Sequence, residues 1–194
     1  GAAAGLLWAV APAVSSAELE PLPPPVVKDV QMSATKIQRG CDWFYFELKP
    51  ALTAKSLPLA RAAIGSASMG SFVSPLQKEL MFPLQQIVSA NLDSDDDGWT
   101  DAFRSTNTAI EDMKEHIGTS DFEQALAAFE RARKNVNLIL TNIDDRWEDK
   151  AKPFRVLDDS YESDRASVYL REKKDMLNQR NAAGGAGAAL SILR

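Results

Sequence analysis

Apolar residues in positions 120–147 recur at steps of three and four, and polar residues fill the positions between them. The apolar series is Phe122, Leu126, Phe129, Ala132, Val136, Ile139, Ile143 and Trp147. This spacing places the apolar side chains on one face of an α-helix. A long helix with one apolar face needs partner helices in water, so the pattern predicts a helical bundle.

The start of this helix carries a capping pattern. Ser120 and Glu123 stand three residues apart, directly before the apolar series. In a capping box, the serine oxygen accepts a hydrogen bond from a free N–H of the first turn, and the glutamate reaches back. The pair therefore predicts that Ser120 caps the helix. Gly118 is expected to end the preceding helix in the left-handed conformation.

Three other stretches show the same helical spacing, and they predict long helices over residues 26–52, 74–90 and 99–117. Pro83 lies inside the second of these stretches. Because proline lacks an N–H and crowds the preceding turn, we expect a kink there or two shorter helices. The chain is therefore predicted to be all-α, with an antiparallel four-helix bundle over residues 26–147.

The segment before the bundle has two parts of different composition. Residues 1–17 are apolar, uncharged and end in small residues, which is typical of the apolar part of an export signal. The alternative is a retained arm that docks on a membrane protein. Residues 18–25 contain four prolines, Pro21, Pro23, Pro24 and Pro25, which predict an extended N-terminal arm.

The helical pattern weakens after the bundle, and residues 148–194 are predicted to form a partly irregular C-terminal extension. Residues 153–157 indicate an extended stretch that crosses the bundle, and residues 167–181 indicate a short charged helix. Residues 181–194 are rich in glycine and alanine, which is typical of a flexible tail.

The composition excludes several classes of protein. A net charge of −5 without a dense run of lysine and arginine argues against nucleic-acid binding. The one cysteine, Cys41, lies on an apolar helix face, so we expect a buried thiol. The one histidine, His116, lies beside charged residues near a helix end and is expected at the surface. A single histidine also removes most histidine-based metal and haem sites.

An acidic loop gives the one candidate metal site. Asp93, Asp95 and Asp97, followed by Gly98, fit the first half of a calcium-binding loop. The twelfth position of such a loop needs a bidentate carboxylate, and here it is Arg104. This positive charge disfavours calcium, so we expect an acidic turn before a helix N-terminus and no bound metal.

Catalytic patterns are also missing from the sequence. A histidine-dependent nucleophile would have to use His116, and no glycine-rich loop for a phosphate is present. Acidic residues are numerous, but they lie on the polar faces of the predicted helices, which gives no support for paired-carboxylate chemistry. We therefore expect a protein that is not an enzyme.

Residues 122–142, with the sequence FEQALAAFERARKNVNLILTN, resemble a helix of small extrinsic proteins of the thylakoid lumen. The order of features is similar too: an export segment, a proline-rich arm, a four-helix bundle and a partly irregular extension. The resemblance covers residues 26–147. The combination looks like the PsbQ-like extrinsic proteins of photosystem II, especially the four-helix type of diatoms and related red-lineage algae.

The resemblance implies a non-catalytic subunit of photosystem II in the plastid, peripheral on the lumenal face of the thylakoid membrane. Such a subunit stabilises the oxygen-evolving centre and the supercomplex through contacts with the photosystem core and other extrinsic subunits, and binds no cofactor directly. The expected contact residues are Pro21, Pro23, Pro24, Pro25, Trp43, Leu190 and Leu193.

Three alternatives stay open at this point. A lumenal subunit of photosystem I or its antenna would have the same layout. A calcium- or ligand-binding bundle would use the acidic loop that contains Asp93, Asp95 and Asp97. A bacterial periplasmic helical adaptor would share the bundle, and its precursor would carry a simple bacterial leader in place of a plastid leader.

Overall fold

The computed structural model describes residues 20–65, 73–91, 98–149, 151–158 and 160–182. These residues form six helices and no strand, which confirms the all-α class. The acidic aspartates at 93, 95 and 97 and the leucines at 190 and 193 lie outside the described residues. The antiparallel order of four helices stays a prediction.

The first helix, α1, is continuous over three segments. They are Pro24–Trp43, Phe44–Leu48 and Lys49–Thr53, and the middle one has π geometry. The later helices are α2 (Leu57–Ile64), α3 (Gln77–Met81 in π geometry and Phe82–Ala90), α4 (Trp99–Gly118), α5 (Phe122–Asp145) and α6 (Tyr161–Ala182). The predicted helices therefore form, with small shifts at their ends.

Each π turn lies just before a proline, with one residue between them. The π segment of α1 ends two residues before Pro50, and that of α3 ends two residues before Pro83. A proline ring clashes with the carbonyl four residues earlier in a regular α-helix, and a wider turn relieves that crowding. The chain thus stays helical through Pro83. Of the two outcomes expected there, a kink or two shorter helices, the division into two helices does not occur.

The turn between α4 and α5 differs from the predicted capping box. Gly118 belongs to α4, and Ser120 takes the left-handed conformation with φ 62°. The cap is Asp121, whose carboxylate accepts a hydrogen bond from the backbone N–H of Gln124 at 3.1 Å. The predictions for Ser120 and Gly118 were wrong. Helix α4 includes Gly118, and the left-handed residue is Ser120, directly before the cap at Asp121.

Replacing Asp121 by alanine is expected to lower the free energy of unfolding by about 1 kcal/mol, because the first turn of α5 loses its cap. Ser120→Gly should instead raise it by about 0.5–1 kcal/mol, because glycine adopts a positive φ without strain. Urea denaturation of both variants measures the two effects. A loss of stability in Ser120→Gly would contradict this expectation and indicate that the serine caps the helix.

The core lies between α1, α3, α4 and α5. Phe44 of α1 stacks on Phe129 of α5, with ring centroids 4.2 Å apart and an interplanar angle of 16°. Cys41 is 1% exposed, which confirms the predicted buried thiol. Gly40 of α1 lies directly against Leu80 of α3, so these helices approach closely where no side chain separates them. Helix α4 packs along α5 as a helical hairpin.

The end of the proline-rich segment is part of the bundle. Pro24 and Pro25 form the first turn of α1, where proline is well tolerated. Leu22 is buried, and the Arg146 guanidinium at the end of α5 donates to the Glu20 carbonyl at 2.7 Å. The extended part of the predicted arm is therefore shorter, and its described residues lie against α5.

The C-terminal extension returns across the bundle before it becomes helical. Phe154 and Leu157 are buried, and the Leu157 N–H donates to the Asn137 side chain at 2.7 Å. The described residues of 151–158 form neither helix nor strand, as expected for a crossing segment. Helix α6 then begins at Tyr161, six residues before the predicted start at position 167.

Candidate functional site: the seam between α1 and α6

Helix α6 attaches to α1 mainly through long polar and aromatic side chains. Among its described side chains, Tyr161 alone is fully buried. The residues that connect the two helices form the seam: Asp42, Tyr45, Phe46 and Glu47 on α1, and Tyr161, Arg165, Tyr169 and Lys173 on α6. The four α6 residues are spaced four apart, so they lie on one face of the helix.

Asp42 is the centre of the first half of the seam. Its side chain is 2% exposed, and the Arg165 side chain is 14% exposed. One carboxylate oxygen accepts from the Tyr161 hydroxyl at 2.7 Å and from Arg165 Nε at 3.1 Å. The other oxygen accepts from the Arg165 guanidinium. This bidentate ion pair is buried, so removing either charge would leave the other charge poorly solvated at a high cost in stability.

Glu47 is the centre of the second half of the seam. Its carboxylate accepts hydrogen bonds from the Tyr169 hydroxyl and the Lys173 ammonium group. Phe46 stacks on Tyr169 at 4.9 Å and on Tyr161 at 5.8 Å between ring centroids. The aromatic rings therefore cover the polar contacts from the side and keep water from part of the seam.

Two tyrosines of the seam and the neighbouring Cys41 have raised pKa values. Burial is the main cause that raises the pKa of Tyr161 well above its ordinary value, and the neighbouring Cys41 and the charge and hydrogen bond of Asp42 act in the same direction. Burial and the hydrogen bond to Glu47 raise the pKa of Tyr169 in the same direction. Burial also raises the pKa of Cys41, which keeps the thiol protonated and unreactive. The two tyrosine hydroxyls therefore stay protonated and act as hydrogen-bond donors, and the Cys41 thiol packs as a small apolar group in the core.

A groove beside the seam is open to solvent. It has a volume of about 400 Å³ and lies between α1, the start of α3 and the second half of α6. Its lining includes Trp43, Pro75, Glu79, Met176 and Leu177. Met176 is 51% exposed and Leu177 is 47% exposed, so apolar surface remains uncovered here. We call this feature the seam groove.

Among the predicted contact residues that the structure describes, Trp43 alone lies at the seam groove. Its indole N–H donates to the Ala63 carbonyl at 3.0 Å, so one edge of the ring is fixed to α2. Pro21, Pro24 and Pro25 are exposed at the N-terminal end of α1, far along the helix from Trp43, and Pro23 is half-buried. Of the predicted contact residues, the five that the structure describes therefore do not form one patch.

The three aspartates of the candidate calcium loop lie outside the described residues. Arg104, at the twelfth position, forms an ion pair with Asp101 at 2.8 Å on the same helix. Within the described ranges, no three side chains of histidine, cysteine, aspartate or glutamate are grouped to hold a metal ion. His116 is half-buried at the end of α4, and its carbonyl accepts from the Asp121 N–H.

Asp144 is the described carboxyl group with a clearly raised pKa. Burial raises its pKa from 3.8 to about 6, against the opposing effects of the Phe154 N–H and the Lys152 charge. The folded protein then binds more protons than the unfolded chain between these two values. The free energy of unfolding is therefore expected to fall as pH rises through that interval.

The variant Asp144→Asn should remove this pH dependence. At about pH 7.5 we expect it to be more stable than the parent by about 1 kcal/mol, a value reduced for the solvent around a half-exposed group. At about pH 3.5 the two proteins should unfold at the same urea concentration, because both side chains are neutral. A constant difference at both pH values would contradict the assignment.

No protein-family model, curated protein or solved structure matches this chain. The fold and the seam define its class: an all-helical protein, over the residues described, in which α6 is fixed to the bundle by a buried ion pair. No helix in the described part of the chain has the length and apolar character needed to cross a membrane.

Proposed function

We propose that the chain is a non-catalytic extrinsic subunit on the lumenal side of photosystem II. It stabilises the oxygen-evolving centre and the supercomplex by protein–protein contacts. The observation that carries this proposal is the resemblance of residues 122–142 to PsbQ-like extrinsic proteins, together with the same order of features along the chain. The all-helical fold is compatible with this class.

The geometry supports a role in shielding rather than in catalysis. The two tyrosines and the cysteine near the seam have raised pKa values, so none of them is activated as a base or nucleophile at neutral pH. Asp42 and Glu47 attach α6 to α1, and we infer that this attachment limits the motion of α6. A rigid helical surface covers lumenal loops of a photosystem core and limits exchange of solvent and ions.

The exposed surface offers positions for such contacts. Pro21, Pro24 and Pro25 are exposed at the start of α1, where fixed φ angles lower the entropy cost of binding. Met32 on the same helix is 62% exposed. We propose that this end of the protein binds the photosystem, in the lumen of the thylakoid and peripheral to its membrane.

Reconstitution with salt-washed photosystem II membranes tests the proposal. The full chain should bind the washed membranes and raise their rate of oxygen evolution at low calcium and chloride. Met32→Asp should bind several-fold more weakly, whereas Leu138→Asp, an equally drastic change at a half-exposed position of α5, should bind like the parent. The absence of binding by the parent chain would overturn the proposal.

A further inference from the structure

The crossing segment, residues 151–158, leads from α5 to α6 and is attached to the bundle through its backbone. The Arg155 N–H donates to the Gln38 side chain at 3.1 Å, and the Leu157 N–H donates to the Asn137 side chain at 2.7 Å. Both acceptors are neutral amides, so neither hydrogen bond depends on the protonation of its acceptor. A third backbone contact of the segment involves an acidic group.

Asp144, in the last turn of α5, is that acidic group. The Phe154 N–H interacts with its carboxylate, and the Lys152 ammonium group donates to its backbone carbonyl. The carboxylate oxygen Oδ1 is buried and has no hydrogen-bond partner among the described residues. A buried, charged oxygen without a partner costs free energy that a neutral carboxyl group largely avoids. Protonation of Asp144 therefore favours the closed position of the segment.

The groups around Asp144 do not remove this cost. A cavity of about 530 Å³ lies beside it, and its lining includes the charged side chains of Lys152, Arg155, Asp158 and Asp164. Arg155 pairs with Asp164 at 2.7 Å, and Asp145 on α5 adds negative charge. The other polar side chains of the lining are neutral: Gln38 of α1, Ser160, and Tyr161, whose hydroxyl donates to Asp42. Lys152 opposes protonation of Asp144, but burial has the larger effect.

We propose that Asp144 is a proton-dependent latch for the crossing segment. The segment closes on α5 when the carboxyl group is neutral, and it detaches more often when the group is charged, because detachment brings Oδ1 into water. Detachment also exposes Phe154 and Leu157, which are 5% and 0% exposed in the closed segment, so the open state is a minor one at every pH. The latch is independent of the photosystem proposal.

The pH range of the latch follows from the two states of Asp144. The pKa of its carboxyl group is about 6 in the closed state and returns towards 3.8 when the group is in water. The closed segment is therefore most stable at low pH, and it loses that stability as pH rises through this interval. From about pH 5 to about pH 7.5, linkage gives a rise of up to about tenfold in the open population. The solvent around a half-exposed group reduces this rise to severalfold.

Native-state hydrogen exchange of the full chain, measured by NMR, tests the latch. Protection of the Phe154 and Leu157 amides, corrected for intrinsic exchange rates, should fall severalfold from about pH 5 to about pH 7.5. Low concentrations of urea should hardly change this exchange, because a local opening exposes little surface. The Val136 amide in the core of α5 should exchange through global unfolding and respond strongly to urea. Equal urea dependence of the segment and core amides would overturn the latch.

The variant Asp144→Asn keeps a side chain of similar shape that does not titrate. Protection of the Phe154 and Leu157 amides should then be the same at both pH values. The matched control is Asp145→Asn: Asp145 is exposed and raises the pKa of Asp144 less than burial does, so this variant should keep most of the pH dependence. An unchanged response in Asp144→Asn, or protection in the parent chain that does not vary with pH, would contradict the proposal.

Discussion

Replacing Asp42 by alanine is expected to lower the free energy of unfolding by about 3–5 kcal/mol. The change leaves the Arg165 guanidinium, whose side chain is 14% exposed, with only the carboxylate of Glu172, a side chain that is 46% exposed, at 3.4 Å. It also removes the acceptor of the buried Tyr161 hydroxyl. A buried charge that loses its close bidentate partner costs far more than the ion pair itself contributes, and this difference explains the expected size. Urea denaturation measures the effect.

The matched control is Asp112→Ala, the same change on another helix. Asp112 pairs with Arg131 at 2.6 Å, but the two side chains are 40% and 51% exposed. An exposed ion pair contributes less than about 1 kcal/mol, so this variant should stay close to the parent. Hydrogen exchange should increase throughout α6 in Asp42→Ala and stay unchanged in the control. Similar losses of stability in both variants would show that the seam does not hold α6.

The second large effect is expected at Gly40. A Cβ atom there would lie 2.6 Å from the Leu80 Cβ and 2.7 Å from the Leu80 backbone nitrogen. Backbone atoms cannot rotate away, so Gly40→Ala must separate α1 from α3. Overpacking of this kind costs about 1–3 kcal/mol, and we expect about 2 kcal/mol in spite of the better helix propensity of alanine.

Gly118→Ala is the control for this prediction. Gly118 is the last residue of α4, its φ is not positive, and a Cβ there would meet nothing within 4 Å. Alanine is a better helix former than glycine, so this variant should gain up to about 1 kcal/mol. If thermal or urea denaturation shows that Gly40→Ala lowers the free energy of unfolding and Gly118→Ala raises it, the close approach of α1 and α3 is supported. A gain in both variants would contradict it.

Apolar periodicity was sufficient to predict the helices and most of the core. The inward face of α5 follows steps of three and four, and the predicted Phe129, Ala132, Val136 and Ile139 are all buried. Periodicity predicts these positions because the apolar face of a helix is determined by the spacing of apolar residues within that helix alone. The π turns before Pro50 and Pro83 were missed because one extra residue in a turn hardly changes that pattern.

The seam could not be predicted in the same way. Asp42 and Arg165 are 123 positions apart, and their pairing depends on how the C-terminal extension returns across the bundle. One signal was present: Tyr161, Arg165, Tyr169 and Lys173 recur every four residues, which indicates one helix face with aromatic and basic side chains. That spacing also places the start of α6 earlier than position 167. The acidic partners on α1 are visible only in three dimensions.

The central claim is tested most directly by native-gel fractionation of mildly solubilised thylakoid membranes, with mass spectrometry of this chain in each band. The account predicts that the chain comigrates with photosystem II. Comigration with photosystem I would contradict the role at the oxygen-evolving centre and favour the alternative lumenal subunit. Recovery of the chain only as a free protein would contradict both photosystem assignments and leave a ligand-binding bundle as the leading hypothesis.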